Sequence, residues 1–381
     1  MASQQPQSPI IVIDGHTDLA HRDGTYSFSL DNAAKGGLNA AVVPAHAGLT
    51  PNSAAPGTGA DELDDTYRAI VDTVAESNGA AAIARTPDEV RSNAAHGIFS
   101  FILGFQNARP LRTLDDVARW VERGVSVFDF GFIGSNQWAA SARPYPYASV
   151  PGADGGLSDL ALQAIELLNE RGVIVDTAQI SPAARRAALR HSKAPVIASH
   201  NGLKFIGIPV DRAVDDDEIR AIADQGGIVQ VVAFDGYLTF RGSDPDNVRE
   251  LGEVRERFGL PAHRGGQDYY ETLDPETNTW DAEKFADYFK AYHAAVRHGW
   301  PRSSVSTLAD AIDHVIEVAG EDSVGFASDF NHGGGIAGWL DHSQTAAVVE
   351  ELARRHDERT VAKIAGGNLL AVWQRVIDAA R

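Results

Sequence analysis

The chain has 381 residues, 44% of them hydrophobic, with no cysteine and a formal net charge of −19. That length can bury a large core, as one big α/β domain or two smaller ones, and the absence of cysteine removes disulfides, thiolate nucleophiles and cysteine-based zinc sites. The acidic balance argues against nucleic-acid and anionic-membrane partners, whose binding needs a basic face. Residues 1–9 carry no basic or apolar targeting segment, and no run approaches the ~18 apolar residues of a membrane span. A soluble cytoplasmic protein is expected.

The first apolar run, Ile10–Asp14, begins with Ile10-Ile11-Val12-Ile13, β-branched residues that read as a strand buried on both faces. It ends in Asp14-Gly15-His16-Thr17-Asp18. On extended backbone, residues i and i+2 point the same way, so His16 and Asp18 can reach one common point. Further short apolar runs follow at Leu38–Val43, Gly97–Leu103, Val125–Phe130, Val173–Asp176, Ala194–Ala198, Gly227–Ala233 and Val324–Ala327.

Amphipathic, helix-like segments separate them: Asp61–Ser77, Thr113–Arg123, Leu157–Arg171, Pro182–His191, Asp215–Gln225 and Leu308–Ala319. Repeated β-α alternation without a second-domain signal predicts a single (β/α)8 TIM barrel spanning residues 1–381. A doubly wound open sheet also alternates, but no G-x-G-x-x-G fingerprint follows the first strand. A long insertion is expected at about residues 236–305, polar and turn-rich over Gly266–Trp280 and helical over Asp281–Arg297. Helices over Ser343–His356 and Arg359–Ala380 should close the fold.

Barrel enzymes draw their active-site side chains from the C-terminal ends of the strands. Just past the predicted strands stand His16 and Asp18, His46, Gln106, Asn136 and Trp138, Gln179, His200, Asp235 and Asp329. Imidazole and carboxylate suit hard or borderline metals, and His16, Asp18, His200 and Asp329 supply both. A carboxylate beside an activated water can also take its proton. His46 reads as structural. Phe132, Trp138, Tyr145, Tyr147 and Tyr237 either form an apolar substrate wall or pack beneath the loops.

The chain resembles the renal (membrane) dipeptidase family, peptidase family M19, an amidohydrolase-like barrel. The residues that carry the resemblance are Asp14-Gly15-His16-Thr17-Asp18, Ala194-Pro195-Val196-Ile197-Ala198-Ser199-His200, Val210-Asp211-Arg212, Ser328-Asp329-Phe330 and Gly366-Gly367-Asn368-Leu369. The resemblance implies two zinc ions, the first on His16, Asp18 and Asp329, the second on His200 and a further histidine. It places a bridging glutamate at Gln106 and that further histidine at Gln179, in Asp176-Thr177-Ala178-Gln179. A substrate-contacting histidine of the family maps near Ile133, and its substrate-carboxylate arginine is retained as Arg212. Homodimers are common in the family.

The two glutamines remove one negative charge and one imidazole, which disfavours the second metal. The expected activity is a dipeptidase-like hydrolysis of small amides or dipeptides with at most one zinc ion. In it Asp329, His200 and Arg212 are catalytic, and Arg212, Asn136, Trp138, Gln106 and Gln179 bind substrate. The alternatives are metal-free acid/base chemistry on an amino-acid-derived metabolite and a non-catalytic binding protein.

Overall fold

The computed structural model describes residues 10–19, 28–47, 59–143, 155–208, 210–240, 244–262, 275–296 and 299–380. Within them the strands are β1 Ile13–Asp14, β2 Ala40–His46, β3 Ala81–Ala84, β4 Phe99–Gln106, β5 Val127–Asp129, β6 Ile174–Asp176, β7 Val196–Leu203, β8 Ala213–Val214, β9 Ile228–Val232 and β10 Val324–Ala327. All pairings are parallel, in the order β1-β2-β4-β5-β6-β7-β9-β10, with β3 added beside β4 and β8 beside β7.

The two ends of this path meet through the backbone. Gly15 N–H donates to the Phe326 carbonyl at 3.1 Å, and Asp329 N–H donates to the His16 carbonyl at 2.9 Å. The ring is a (β/α)8 barrel, and each apolar run read from the sequence lies on one of its strands.

Alternation along the strands divides the core. Ile102 faces inward, in one cluster with Ile13, Val42, Val127, Ile174, Ile197 and Ile228. Its neighbours Phe101 and Leu103 face outward and pack beneath the helices. The helix Asn368–Ala379 closes the floor, placing Leu369, Leu370 and Trp373 against the inward set.

The predicted helix Arg359–Ala380 is interrupted: Glu358–Ala362 and Asn368–Ala379 flank a wide turn over Lys363–Gly367. Gly366 lies there against β1, where a Cβ would stand 2.6 Å from Ile13 Cγ1. Sequence reading missed the helices Leu30–Lys35, Pro87–Ala95 and Pro245–Arg257.

Between β9 and β10 lie Pro245–Arg257 and Ala282–Val296, the latter matching the expected helix of the insertion. Most of Gly266–Trp280, and Tyr145 and Tyr147, lie outside the described residues. Among the described residues no helix is long and apolar enough to cross a membrane.

Candidate functional site

His16 and Asp18 leave β1 at the barrel rim, with the His16 N–H donating to Asp14 Oδ1 at 3.3 Å. The His16 ring stacks on His200 from the end of β7, with centroids 3.8 Å apart and planes 16° from parallel. Burial drives the His16 pKa down to about 4, and Asp18 offsets this only in part. His200 lies well below the ordinary imidazole value, through burial first and then the charge of His16. Both rings are therefore neutral near pH 7, the form in which imidazole ligates metal.

Asp329 follows β10 with φ at +53°, in the left-handed region, and Asn331 follows at +74°. These two turns bring the loop back over the site. Burial pushes the Asp329 carboxyl up to about 7, with His332 pulling it down and Asp18 pushing it further. His16, His200 and Asp329 bring one ligand atom each to within 4.8 Å of one another.

Asp18 faces elsewhere. It groups in the same way with His46 and His332. His46 Nδ1 lies 3.6 Å from Asp18 Oδ1, and His332 Nδ1 contacts Asp18 Oδ2. Burial acts to raise the Asp18 carboxyl, but His332 and His46 outweigh it and hold it well below the usual carboxylate range. The resemblance put Asp18 with His16 and Asp329 and set His200 apart; the structure instead groups His200 with His16 and Asp329 and turns Asp18 toward His46 and His332, a histidine the sequence reading missed.

Gln106, ending β4, and Gln179, after β6, converge on His200. Their amide nitrogens lie 3.4 and 2.9 Å from His200 Nε2. On its other side His200 Nδ1 lies 2.6 Å from Ser199 Oγ, and the Ser199 hydroxyl donates to Asp176. Asp176 sits opposite Asp129 in the β5–β6 register. Burial raises both carboxyls, and Asp176 raises Asp129 further.

Arg212 is 3% exposed and donates from Nη1 to the Ala178 carbonyl at 2.6 Å. Its guanidinium stands 6.0 Å from the Tyr237 ring centre. Arg143, which sequence reading also missed, donates from Nη2 to the Tyr237 hydroxyl at 2.5 Å. Both guanidiniums act on Asp329 and His200, so the site has a cationic side suited to a carboxylate.

Asn136 and Trp138 are committed to the loop after β5. Asn136 donates to the Phe130 carbonyl at 2.8 Å and accepts from Trp138 N–H and Ala139 N–H, while the Trp138 indole donates to Leu111. Trp138 is wholly buried in the core. Asp235 accepts from Arg302 N–H and Ser303 N–H and so anchors the returning insertion.

The donor set fits one ion of the zinc type. His16 Nε2 is buried without a hydrogen-bond partner among the described residues, beside a second neutral imidazole and a carboxylate. A second ion at the position implied by the resemblance does not fit, because amides stand where it needs a carboxylate and an imidazole.

The chain is 32% identical to the probable dipeptidase PvdM from Pseudomonas aeruginosa, with a TM-score of 0.88 over 97% of this chain and 96% of that one. A metallopeptidase from Rhodobacter sphaeroides, solved with a phosphinate mimic of the dipeptide L-Ala-D-Ala, has the same fold at TM-score 0.70 and 18% identity, over 96% and 99% of the two chains. Dipeptidase 3 of Mus musculus is 24% identical over 286 residues, 72% of this chain and 44% of that protein. The chain spans about half the length of the curated relatives it matches. The family model for membrane dipeptidase (peptidase family M19) matches residues 3–381, and the chain belongs to that family.

Proposed function

We propose that the protein is a dipeptidase-type hydrolase that cleaves an amide bond in a small substrate with a free carboxylate, using one catalytic zinc ion held by His16, His200 and Asp329. The observation that carries this reading is the convergence of those three buried side chains beside the guanidiniums of Arg212 and Arg143. An ion held there supplies Lewis-acid polarisation of the scissile carbonyl and of the attacking water.

The chain's own groups do the rest. Arg212 and Arg143 hold the substrate carboxylate through charge-assisted hydrogen bonds and so set which amide faces the ion. Asp329 takes the proton of the attacking water and passes it to the leaving amine nitrogen. Gln106 and Gln179 present amide groups to the polar edge of the substrate.

The test is hydrolysis of a panel of unblocked dipeptides and N-acyl amino acids, before and after chelation and after return of Zn²⁺ or Mn²⁺. Turnover lost with the metal, regained with it and abolished in Asp329→Asn is expected. No turnover across the panel by zinc-loaded protein overturns the reading. The amides on His200 favour a second reading, metal-free acid/base chemistry, which full activity in chelated protein would select.

A further inference from the structure

We infer that Asp176 and Ser199 are positioning residues: they fix His200 as the tautomer protonated on Nδ1 and so leave the lone pair of the ring on Nε2. The three side chains form one line of hydrogen bonds. The Ser199 hydroxyl donates to Asp176 Oδ2, and His200 Nδ1 stands 2.6 Å from Ser199 Oγ. All three residues are buried.

The direction of each bond follows from a count of protons. A serine hydroxyl carries one proton, and a carboxylate only accepts. The Ser199 proton is spent on Asp176, so Ser199 Oγ meets His200 as an acceptor. In a neutral imidazole the nitrogen that faces an acceptor carries the proton, and the other nitrogen carries none. The far side of the ring agrees. The amide nitrogens of Gln179 and Gln106 lie 2.9 and 3.4 Å from Nε2, and an amide nitrogen only donates.

Asp176 is held as the acceptor of this line by its surroundings. Its Oδ1 accepts the N–H of Ala178 and of Ser199, each at 3.0 Å, which leaves Oδ2 for the hydroxyl. Burial raises the Asp176 carboxyl, but these three hydrogen bonds and Arg212 oppose it. Asp129 is the carboxyl raised well above the ordinary value, so the proton shared by the pair sits there and Asp176 keeps the charge.

The shape of β7 makes the contact possible. Neighbouring side chains of a regular strand point to opposite faces, which would keep Ser199 and His200 apart. The register of β7 against β9 shifts between Ala198 and Asn201, the span that holds both residues. An irregularity of this kind re-aims a side chain.

Either use of His200 needs this tautomer. An ion is ligated through an unprotonated ring nitrogen, and a base takes up its proton there. Ser199 covers Nδ1, which leaves Nε2 for that work. The consequence for zinc rests on the hydrolase reading, whereas the tautomer is a property of the metal-free chain.

The test is the long-range 1H–15N spectrum of the histidine rings in chelated protein, with zinc affinity, measured by competition with a chromogenic chelator, as a second readout. The resonances that vanish in His200→Gln identify the ring. The parent is expected to show a protonated Nδ1 and a bare Nε2, and Ser199→Thr, which keeps the hydroxyl, should match it in both readouts. In Asp176→Asn the two N–H donors at Oδ1 hold the amide oxygen there, so the new NH2 faces Ser199 and turns its hydroxyl toward Nδ1. The ring proton is then expected on Nε2. Ser199→Ala removes the acceptor and should weaken zinc binding roughly 10–100-fold. Unfolding midpoints establish which variants are folded, and the parent spectrum decides the tautomer without them. A parent protonated on Nε2 overturns the inference, as do folded Asp176→Asn and Ser199→Ala with the tautomer and zinc affinity of the parent. A parent with the expected tautomer that takes up no zinc supports the inference and overturns the hydrolase reading instead.

Discussion

Asp14 and His342 stand 328 positions apart in the chain and 2.9 Å apart in space, with His342 Nε2 against Asp14 Oδ2 and both side chains wholly buried. The other oxygen of Asp14 accepts the Ser328 N–H at 2.8 Å. One carboxyl thus fastens the outlet of β1 to the outlet of β10 and to the segment that follows. His342→Ala leaves Asp14 Oδ2 buried without this partner, and a loss of about 2 kcal/mol is expected. Urea denaturation measures it, and an unchanged midpoint would show that the pair does not hold the seam.

Restoring the residues that the family resemblance implies should restore the ion they serve. In a Gln106→Glu, Gln179→His double variant the amide nitrogens near His200 Nε2 are replaced by a carboxylate and an imidazole. Zinc content is expected to rise by one equivalent over the parent. No rise would mean that more than these two side chains excludes the ion.

Arg212 donates to the Ala178 carbonyl and lies over Tyr237, which fixes the direction of its guanidinium. Arg212→Lys keeps the charge and loses the planar fork. A loss of about 2 kcal/mol in holding the substrate carboxylate corresponds to a KM raised roughly thirtyfold, with kcat changed far less. Steady-state kinetics on the best dipeptide decides it: a fall in kcat at constant KM would assign Arg212 to the chemical step instead.

Asp129 is buried, and Oδ2 has no hydrogen-bond partner among the described residues. Burial and then Asp176 raise its carboxyl well above the ordinary 3.8. The folded protein therefore keeps a proton there that the unfolded chain has released. The stability contributed by this group is full below the ordinary carboxyl value and is lost as pH rises through the raised one. Asp129→Asn removes that loss, so the variant should exceed the parent in stability at about pH 8, with the gap closing toward about pH 4. Unfolding free energies across that range test the sign, and a gap that widens in acid would reverse it.

The barrel was legible because its strands are β-branched and its helices amphipathic, signals that survive in a bare sequence. His16, His200 and Asp329 were legible because each follows a strand directly. His332 was not, since its place depends on left-handed backbone at Asp329 and Asn331, neither of them glycine. The separation of Asp18 from His16 was hidden for the same reason, because its direction is set by what the β10 loop carries back to it. Arg143 follows no strand end. It reaches Tyr237 only through the fold of the segment after β5. Asn136 and Trp138 misled in the opposite way: they stand where substrate ligands stand, but the Asn136 amide is spent on its own loop and the Trp138 indole on the Leu111 carbonyl after β4.

The meeting of β1 with β10 also governs when the site can come into being. Residues 14–18 leave the ribosome first and residues 327–332 more than three hundred residues later, as the 314-residue span from Asp14 to Ser328 measures. Until that late segment docks, His16 and Asp18 are ligand-type side chains with no partners from β10. Contacts of such sequence separation carry the largest loop-closure cost and form late. An ion bound across the seam binds the folded chain alone, so zinc should act as a latch on the last step of assembly and slow the first step of unfolding.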